Sequence, residues 1–169
     1  MDKVKERTFV AAQLNEKNVQ IVKSVVTELL SAMGITGEIF TRIQTDDDGR
    51  EMLALNIKST ESRFLIGHNG SNLQALQHLA RLLLKNKSEE IIYFILDVND
   101  YRQAREQHLQ RLAYEFAKKV KTTGEKVVLK PLPAGERRII HMTLAEDEEI
   151  MTESVGLDTE RRLVIKPKK

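Results

Sequence analysis

The sequence predicts an α+β protein in which helices alternate with short strands, with a domain junction at Asn99-Asp100. Three observations carry this reading. Stretches with a helical apolar period alternate along the chain with shorter stretches of strand period. At 169 residues there is room for one domain or two small ones. Asn99-Asp100 also reads as a helix cap and junction, and charge is unevenly spread, so that a nearly neutral sum hides a basic face. Residues 98–145 carry ten Lys/Arg against five acids, residues 146–160 carry seven acids and no base, and the tail from Arg161 is basic again. The expected division is a lead-in over residues 1–15, a first domain over 16–98 and a second over 99–167.

In order, Asn15 is placed to cap a helix whose stripe is Val19, Val22, Val25, Val26, Leu29, Leu30 and Met33, with Gly34 at its end. Glu38 to Gln44 and Glu51 to Lys58 read as a β-hairpin around Asp46-Asp47-Asp48-Gly49. Ile39, Thr41 and Ile43 share one face, as do Leu53, Leu55 and Ile57. Arg50 stands where a calcium loop needs a third oxygen ligand, so the acidic segment reads as a turn. A short helix from Ser62 leads to Gly67, and a second runs from about Ser71 to Lys85 with Leu73, Leu76, Leu79, Ala80 and Leu83 in phase. Ile91 to Asp97 is apolar without alternation and predicts a strand buried on both faces.

Beyond Asn99, a long helix carries Tyr101, Ala104, His108, Leu112, Ala113, Phe116, Ala117 and Val120 on one face, with His108 as a packing residue and Gly124 at the end. Lys126 to Lys130 is a strand. Pro133 fits the first turn of a helix reaching Ala145. Strands follow around Ile150 to Val155 and Arg161 to Ile165.

Composition excludes several function classes. The 41% hydrophobic residues suffice for packed cores, and 31% charged residues fits a soluble chain. With no Cys and only four scattered His, neither disulfides nor a metal site is expected, and no cofactor is implied. No apolar leader opens the chain, and the longest apolar run, residues 91–96, is too short to span a bilayer, so cytoplasmic location is expected. No carboxylate cluster stands beside a candidate base or metal ligand, so an enzyme is not expected.

Two motifs carry chemistry. In Leu65-Ile66-Gly67-His68-Asn69-Gly70-Ser71, two glycines three apart separate an apolar run from a helix. Glycine lets backbone approach a ligand, and the helix start offers unpaired N–H groups. In Glu136-Arg137-Arg138-Ile139-Ile140-His141, Arg137 and His141 are four apart and share a helix face. A guanidinium beside an imidazole offers planar donors to a phosphate.

The Ile-Gly-x-x-Gly context and the order helix, strand, strand, short helix, loop, helix, strand resemble a type II KH domain, whose loop clamps a single-stranded nucleic-acid backbone. Leu132-Pro133, the Arg137/His141 spacing, Thr152-x-Ser154-x-Gly156 and Arg161-Arg162-x-Val164-Ile165 resemble an R-three-H domain. The two in succession resemble the Jag (SpoIIIJ-associated) family, whose pattern also includes Leu30 to Ile35 and Asp97 to Tyr101.

The resemblance implies a three-stranded sheet with three helices for the first domain and with two for the second. It implies a non-catalytic single-stranded RNA-binding protein, a post-transcriptional regulator linked to cell elongation, division and envelope growth, with a small KH protein (KhpA-like) as partner. The nucleic-acid-binding residues would be Ile66, Gly67, His68, Asn69, Gly70, Ser71 and Leu73 in the first domain. In the second they would be Arg137, Arg138, His141, Arg161 and Arg162. The first domain's groove would lie between the loop's helices and a sheet edge, with Ile66 and Leu73 in its floor. Single-stranded DNA binding and a protein-interaction scaffold are the alternatives.

Two departures from the family stand out. The lead-in is too short for the usual N-terminal Jag domain, and His68-Asn69 replaces the usual Lys or Arg, removing fixed charge from the loop. Ala134-Gly135 is also weak helix-starting sequence for the Arg137 helix.

Overall fold

The computed structural model describes residues 14–46 and 48–168. Most of the expected lead-in, residues 1–13, and Asp47 of the expected turn lie outside the described residues. Backbone contacts divide the chain into two compact units, the first ending at Tyr101 and the second beginning at Arg102.

The first unit opens with α1 (Glu16–Ala32), capped by the Asn15 side chain, which accepts from the Asn18 N–H at 2.9 Å. Strands β1 (Glu38–Thr45) and β2 (Glu51–Lys58) pair antiparallel, with Ile39 opposite Ile57 and Ile43 opposite Leu53. Their turn is set by Asp46, whose carboxylate accepts from the N–H groups of Asp48 and Arg50 at 3.0 and 2.8 Å. Helices α2 (Ser62–Ile66) and α3 (Ser71–Lys87) then cross to β3 (Phe94–Val98), which pairs parallel to β2. A parallel pair needs such a long crossover.

The sheet order is β1-β2-β3. Leu53, Leu55, Ile57, Phe94, Leu96 and Val98 bury one face against Val22, Val26 and Leu30 of α1, Leu65 of α2, and Leu73, Leu76 and Ala80 of α3. The Tyr93 carbonyl and Asn99 N–H face β2, bonding Leu53 N–H and Ile57 carbonyl. The backbone groups of Phe94 and Leu96 therefore turn outward. There the buried Gln77 amide of α3 meets both, donating to the Phe94 carbonyl at 3.1 Å and accepting from the Leu96 N–H at 2.7 Å.

Helix α4 (Tyr101–Thr123) begins on the last residue of the first unit, and the second unit contains the rest of it with β4 (Val127–Pro131), α5 (Ala134–Thr143), β5 (Ile150–Val155) and β6 (Arg162–Pro167). Its sheet order is β4-β6-β5, antiparallel throughout, with β6 in the middle. Leu129, Ile150, Leu163 and Ile165 bury one face against Leu109, Ala113, Ala117 and Val120 of α4 and Ile140 of α5. Lys121 at the end of α4 bridges Asp147 at 2.9 Å and Glu149 at 3.1 Å, which orders the acidic segment.

Several expectations about packing are corrected here, among them Met33 and Ala104, which are expected on the apolar stripes of α1 and α4 and are exposed. Strand β3 is not buried on both faces: it is an outer strand whose burial alternates, so its apolar run reflects the local helix contacts. Ile43 is exposed although Ile39 on the same face and its cross-strand partner Leu53 are buried, so at that end the core reaches β2 and not the outer strand β1. On α3, Leu79 and Leu83 are exposed with Leu82, and the buried stripe runs Leu73, Leu76, Gln77, Ala80, Leu84. On α4, His108 is exposed rather than packing, and Leu109 takes the core position.

Candidate functional site

The loop between α2 and α3 is held by crowding. Gly67 ends α2 at φ 71, its N–H donating to the Arg63 carbonyl at 3.0 Å. One 3-10 turn, His68–Gly70, follows, with Asn69 at φ 49 and Gly70 at φ 78. Both glycines are required by conformation and by space. A Cβ on Gly67 would lie 2.5 Å from the Asn72 side chain, and a Cβ on Gly70 would lie 2.9 Å from the Tyr101 ring. Asn72 is fixed in turn, donating to the Phe64 carbonyl at 2.8 Å. The space beside Gly70 thus belongs to Tyr101.

Tyr101 is positioned by two successive residues in the left-handed region, Asn99 at φ 48 and Asp100 at φ 58. Both side chains reach back to the hairpin. Asn99 donates to the Ser59 carbonyl at 2.9 Å, and Asp100 accepts from the Asn56 amide at 2.6 Å and from the Lys58 ammonium. The Lys58 hydrogen bond is the main cause holding the Asp100 carboxyl below its ordinary range, against a smaller opposing effect of burial.

The sequence-predicted residues of this loop separate by exposure. His68 and Ser71 are exposed, Asn69 is half-buried with its amide 3.1 Å from the His68 ring, and Ile66 packs partly against the core. Leu73 is 2% exposed, so it supports the surface from below and does not line it. The outer sheet edge is β3, and its Phe94 carbonyl and Leu96 N–H are taken by Gln77. Three residues not singled out from the sequence, Arg63, Phe64 and Asn72, line a shallow cleft of about 620 Å³ with Gly67 and His68. Helix α2 has five residues, too few for a period to show which side faces out.

In the second unit, α5 is anchored by the buried Ile140 and Leu144, which leaves Arg137, Arg138 and His141 around a depression of about 290 Å³. Thr152 and Ser154 of β5 and Leu163 of β6 complete its lining. Arg137 donates one Nη to the Leu132 carbonyl at 2.9 Å, while its buried Nε has no hydrogen-bond partner. The His141 Nδ1 lies 2.5 Å from the Thr152 hydroxyl, which fixes the ring and leaves Nε2 without a protein partner among the described residues. Glu136 is turned away into a two-pronged pair with Arg105, at 2.7 and 2.9 Å. Among the described residues no carboxylate pairs with Arg137 or Arg138.

Guanidinium, imidazole and hydroxyl donors around a small depression suit an oxyanion. Arg161 is near by its backbone, its carbonyl accepting from the Leu132 N–H at 3.3 Å. Arg162 stands apart: it alternates with the inward Leu163 on β6 and pairs with Glu160 at 3.1 Å. Thr152 and Ser154 were legible only as a pattern; their place beside His141 depends on the register of β5 against β6.

A family model for the R-three-H domain matches residues 107–167, which contain this depression. A Clostridium symbiosum protein named RNA-binding protein KhpB is 32% identical over 156 residues, covering 92% of this chain and 67% of that protein. The chain belongs to the Jag (KhpB) family. Two further members carry the same printed name. The Lactiplantibacillus plantarum protein is 33% identical over 151 residues, 89% of this chain and 45% of its own length. The Bacillus subtilis protein is 32% identical over 127 residues, 74% of this chain and 61% of its own length. The chain thus spans from under half to two thirds of the length of these Jag family members. Among the described residues no helix is long and apolar enough to cross a membrane, and no three His, Asp or Glu side chains gather as a metal set.

Proposed function

We propose that the chain is a non-catalytic single-stranded RNA-binding protein, with a type II KH domain over residues 16–98 and an R-three-H domain over residues 99–167. The observation that carries this reading is the depression around Arg137. Two cations with no carboxylate partner among the described residues, a fixed imidazole and two hydroxyls converge there, within the segment matched by the R-three-H family model. The names of the relatives support RNA as the ligand. The element order α1-β1-β2-α2-α3-β3, with a parallel β2–β3 pair around a Gly-x-x-Gly turn, supports the KH assignment. In this reading the protein works in the cytoplasm as a post-transcriptional regulator of cell elongation, division and envelope growth, with a small KH protein as partner.

A second reading, a protein-interaction scaffold, has its own support in the exposed Leu79, Leu82 and Leu83 of α3 and in the uncharged His68-Asn69 loop.

The test titrates the full chain with a 5′-phosphorylated single-stranded RNA, its DNA counterpart and an RNA duplex. Affinity for the single-stranded RNA should exceed that for the duplex and fall steeply as salt rises. His141→Ala should weaken binding, Arg137→Ala should cost more, and the double variant should cost less than the sum. Equal binding to duplex, or strict additivity of the two variants, would sink the reading.

A further inference from the structure

The cleft beside the Gly67–Gly70 turn has one feature with no structural explanation. Phe64 is 68% exposed in a chain with 5% aromatic residues, although its neighbour Leu65 is fully buried. Its backbone is not free to move: the Phe64 carbonyl is bound by the Asn72 amide at 2.8 Å, and the Arg63 carbonyl by the Gly67 N–H at 3.0 Å. A rigid backbone thus presents an open aromatic face. Arg63 is exposed beside it, and among the described residues no carboxylate pairs with it. The exposed His68 imidazole and the Asn72 amide form the other walls.

We propose that this cleft is a nucleotide subsite, in which one unpaired nucleobase stacks on Phe64 and its phosphate meets Arg63 and His68. The inference rests on the RNA-binding reading and assigns two residues that neither motif contains. The chemistry favours a nucleotide over a folded protein surface. One aromatic face, one unneutralised cation and side-chain amide and imidazole groups, in a cleft of about 620 Å³, match the π-face, charge and edge of a single nucleotide. The cleft also adjoins the turn, so a strand held there has a base within reach of Phe64. A cation here offsets part of the charge that His68 and Asn69 fail to supply between the glycines.

The chain has no tryptophan, so Phe64→Trp installs a single indole as reporter. The full-length variant is titrated with a single-stranded RNA octamer and with octamers made abasic at one position each, with melting curves alongside. Stacking should quench the indole emission by about half, saturating with the fluorescence anisotropy of labelled RNA. One abasic position should abolish the quench. Phe64→Leu should weaken binding about fivefold or more at unchanged salt dependence. Arg63→Gln should lower the slope of log K against log[salt] by about one.

If the RNA binds wild type while the indole is silent and Phe64→Leu keeps full affinity, the subsite is refuted and the RNA-binding reading survives. If wild type binds no single-stranded RNA at any salt, that reading falls and takes the subsite with it. Equal quenching by an acidic peptide that RNA does not displace would assign the cleft to a protein and overturn the proposal.

Discussion

The turn at residues 67–70 and the depression around Arg137 are held in opposite ways. At the turn, neighbouring side chains occupy the space where Cβ atoms would stand, and fixed charge is sparse. At the depression, two cations that no carboxylate pairs among the described residues line open space, and the directions of Arg137 and His141 come from single hydrogen bonds to Leu132 and Thr152. A site built by exclusion should be sensitive to an added atom and tolerant of changed charge. A site built from oriented cations should show the reverse.

The largest expected effect tests the frame of the charged site. Arg105 and Glu136 pair with side chains only 20% and 12% exposed, so Arg105→Ala leaves a half-buried carboxylate next to Arg137. Urea denaturation should show the second unit destabilised by about 3 kcal/mol; a loss below about 1 kcal/mol would mean that the pair is no anchor. Next comes the crowded site. Gly67→Ala forces a Cβ onto Asn72 at a positive φ and should cost about 2 kcal/mol in the first unit. Asn72→Ala in the same chain should recover part of that loss, and full additivity would break the exclusion argument.

Changing charge at the turn should do less. His68 is exposed, whereas Asn69 sits at φ 49, a conformation asparagine tolerates and most residues do not, so His68→Lys is the cleaner probe. It should leave melting unchanged and steepen the salt slope of RNA binding by about one. A lower melting temperature would show that the turn does sense charge.

The smallest effect comes from acid. The Asp100 carboxyl behind the turn and Asp147 in the second unit are both held below their ordinary value of 3.8, mainly by hydrogen bonds from Lys58 and Lys121 respectively. A depressed carboxyl contributes stability fully above its unfolded value and loses it as pH falls through its folded one. Melting temperature should therefore drop below about pH 4, and the drop should be shallower in Lys58→Met for the first unit and in Lys121→Met for the second. Parallel acid curves for variants and wild type would show that neither bridge contributes.

Much of this was legible in the residues. Asn15 as a cap and the alternation Leu53-Leu55-Ile57 follow from local patterns that tertiary contacts did not override. The proximity of Arg137 to His141 follows from helix spacing alone. Other features needed the assembled sheet. Whether Leu79 or Leu84 faces inward depends on where β3 meets α3, and a helix with leucines on both sides carries no mark of it. Likewise, Gly70 reads as an opening toward a ligand until Tyr101, thirty-one positions later, is seen to fill the space. Thr152 reaches His141 only through strand register.

The Gln77 amide has a consequence outside either site. An outer strand normally leaves alternate carbonyl and N–H groups as a template for another chain, which is how folded domains recruit one another into aggregates. On β3 the outward Phe94 carbonyl and Leu96 N–H are both spoken for by one side chain, and the Val98 N–H bonds the Asp97 carboxylate at 2.8 Å. A helix residue thus acts as a two-bond imitation of a neighbouring strand. It leaves this apolar margin with fewer outward groups to offer another chain when many copies crowd together.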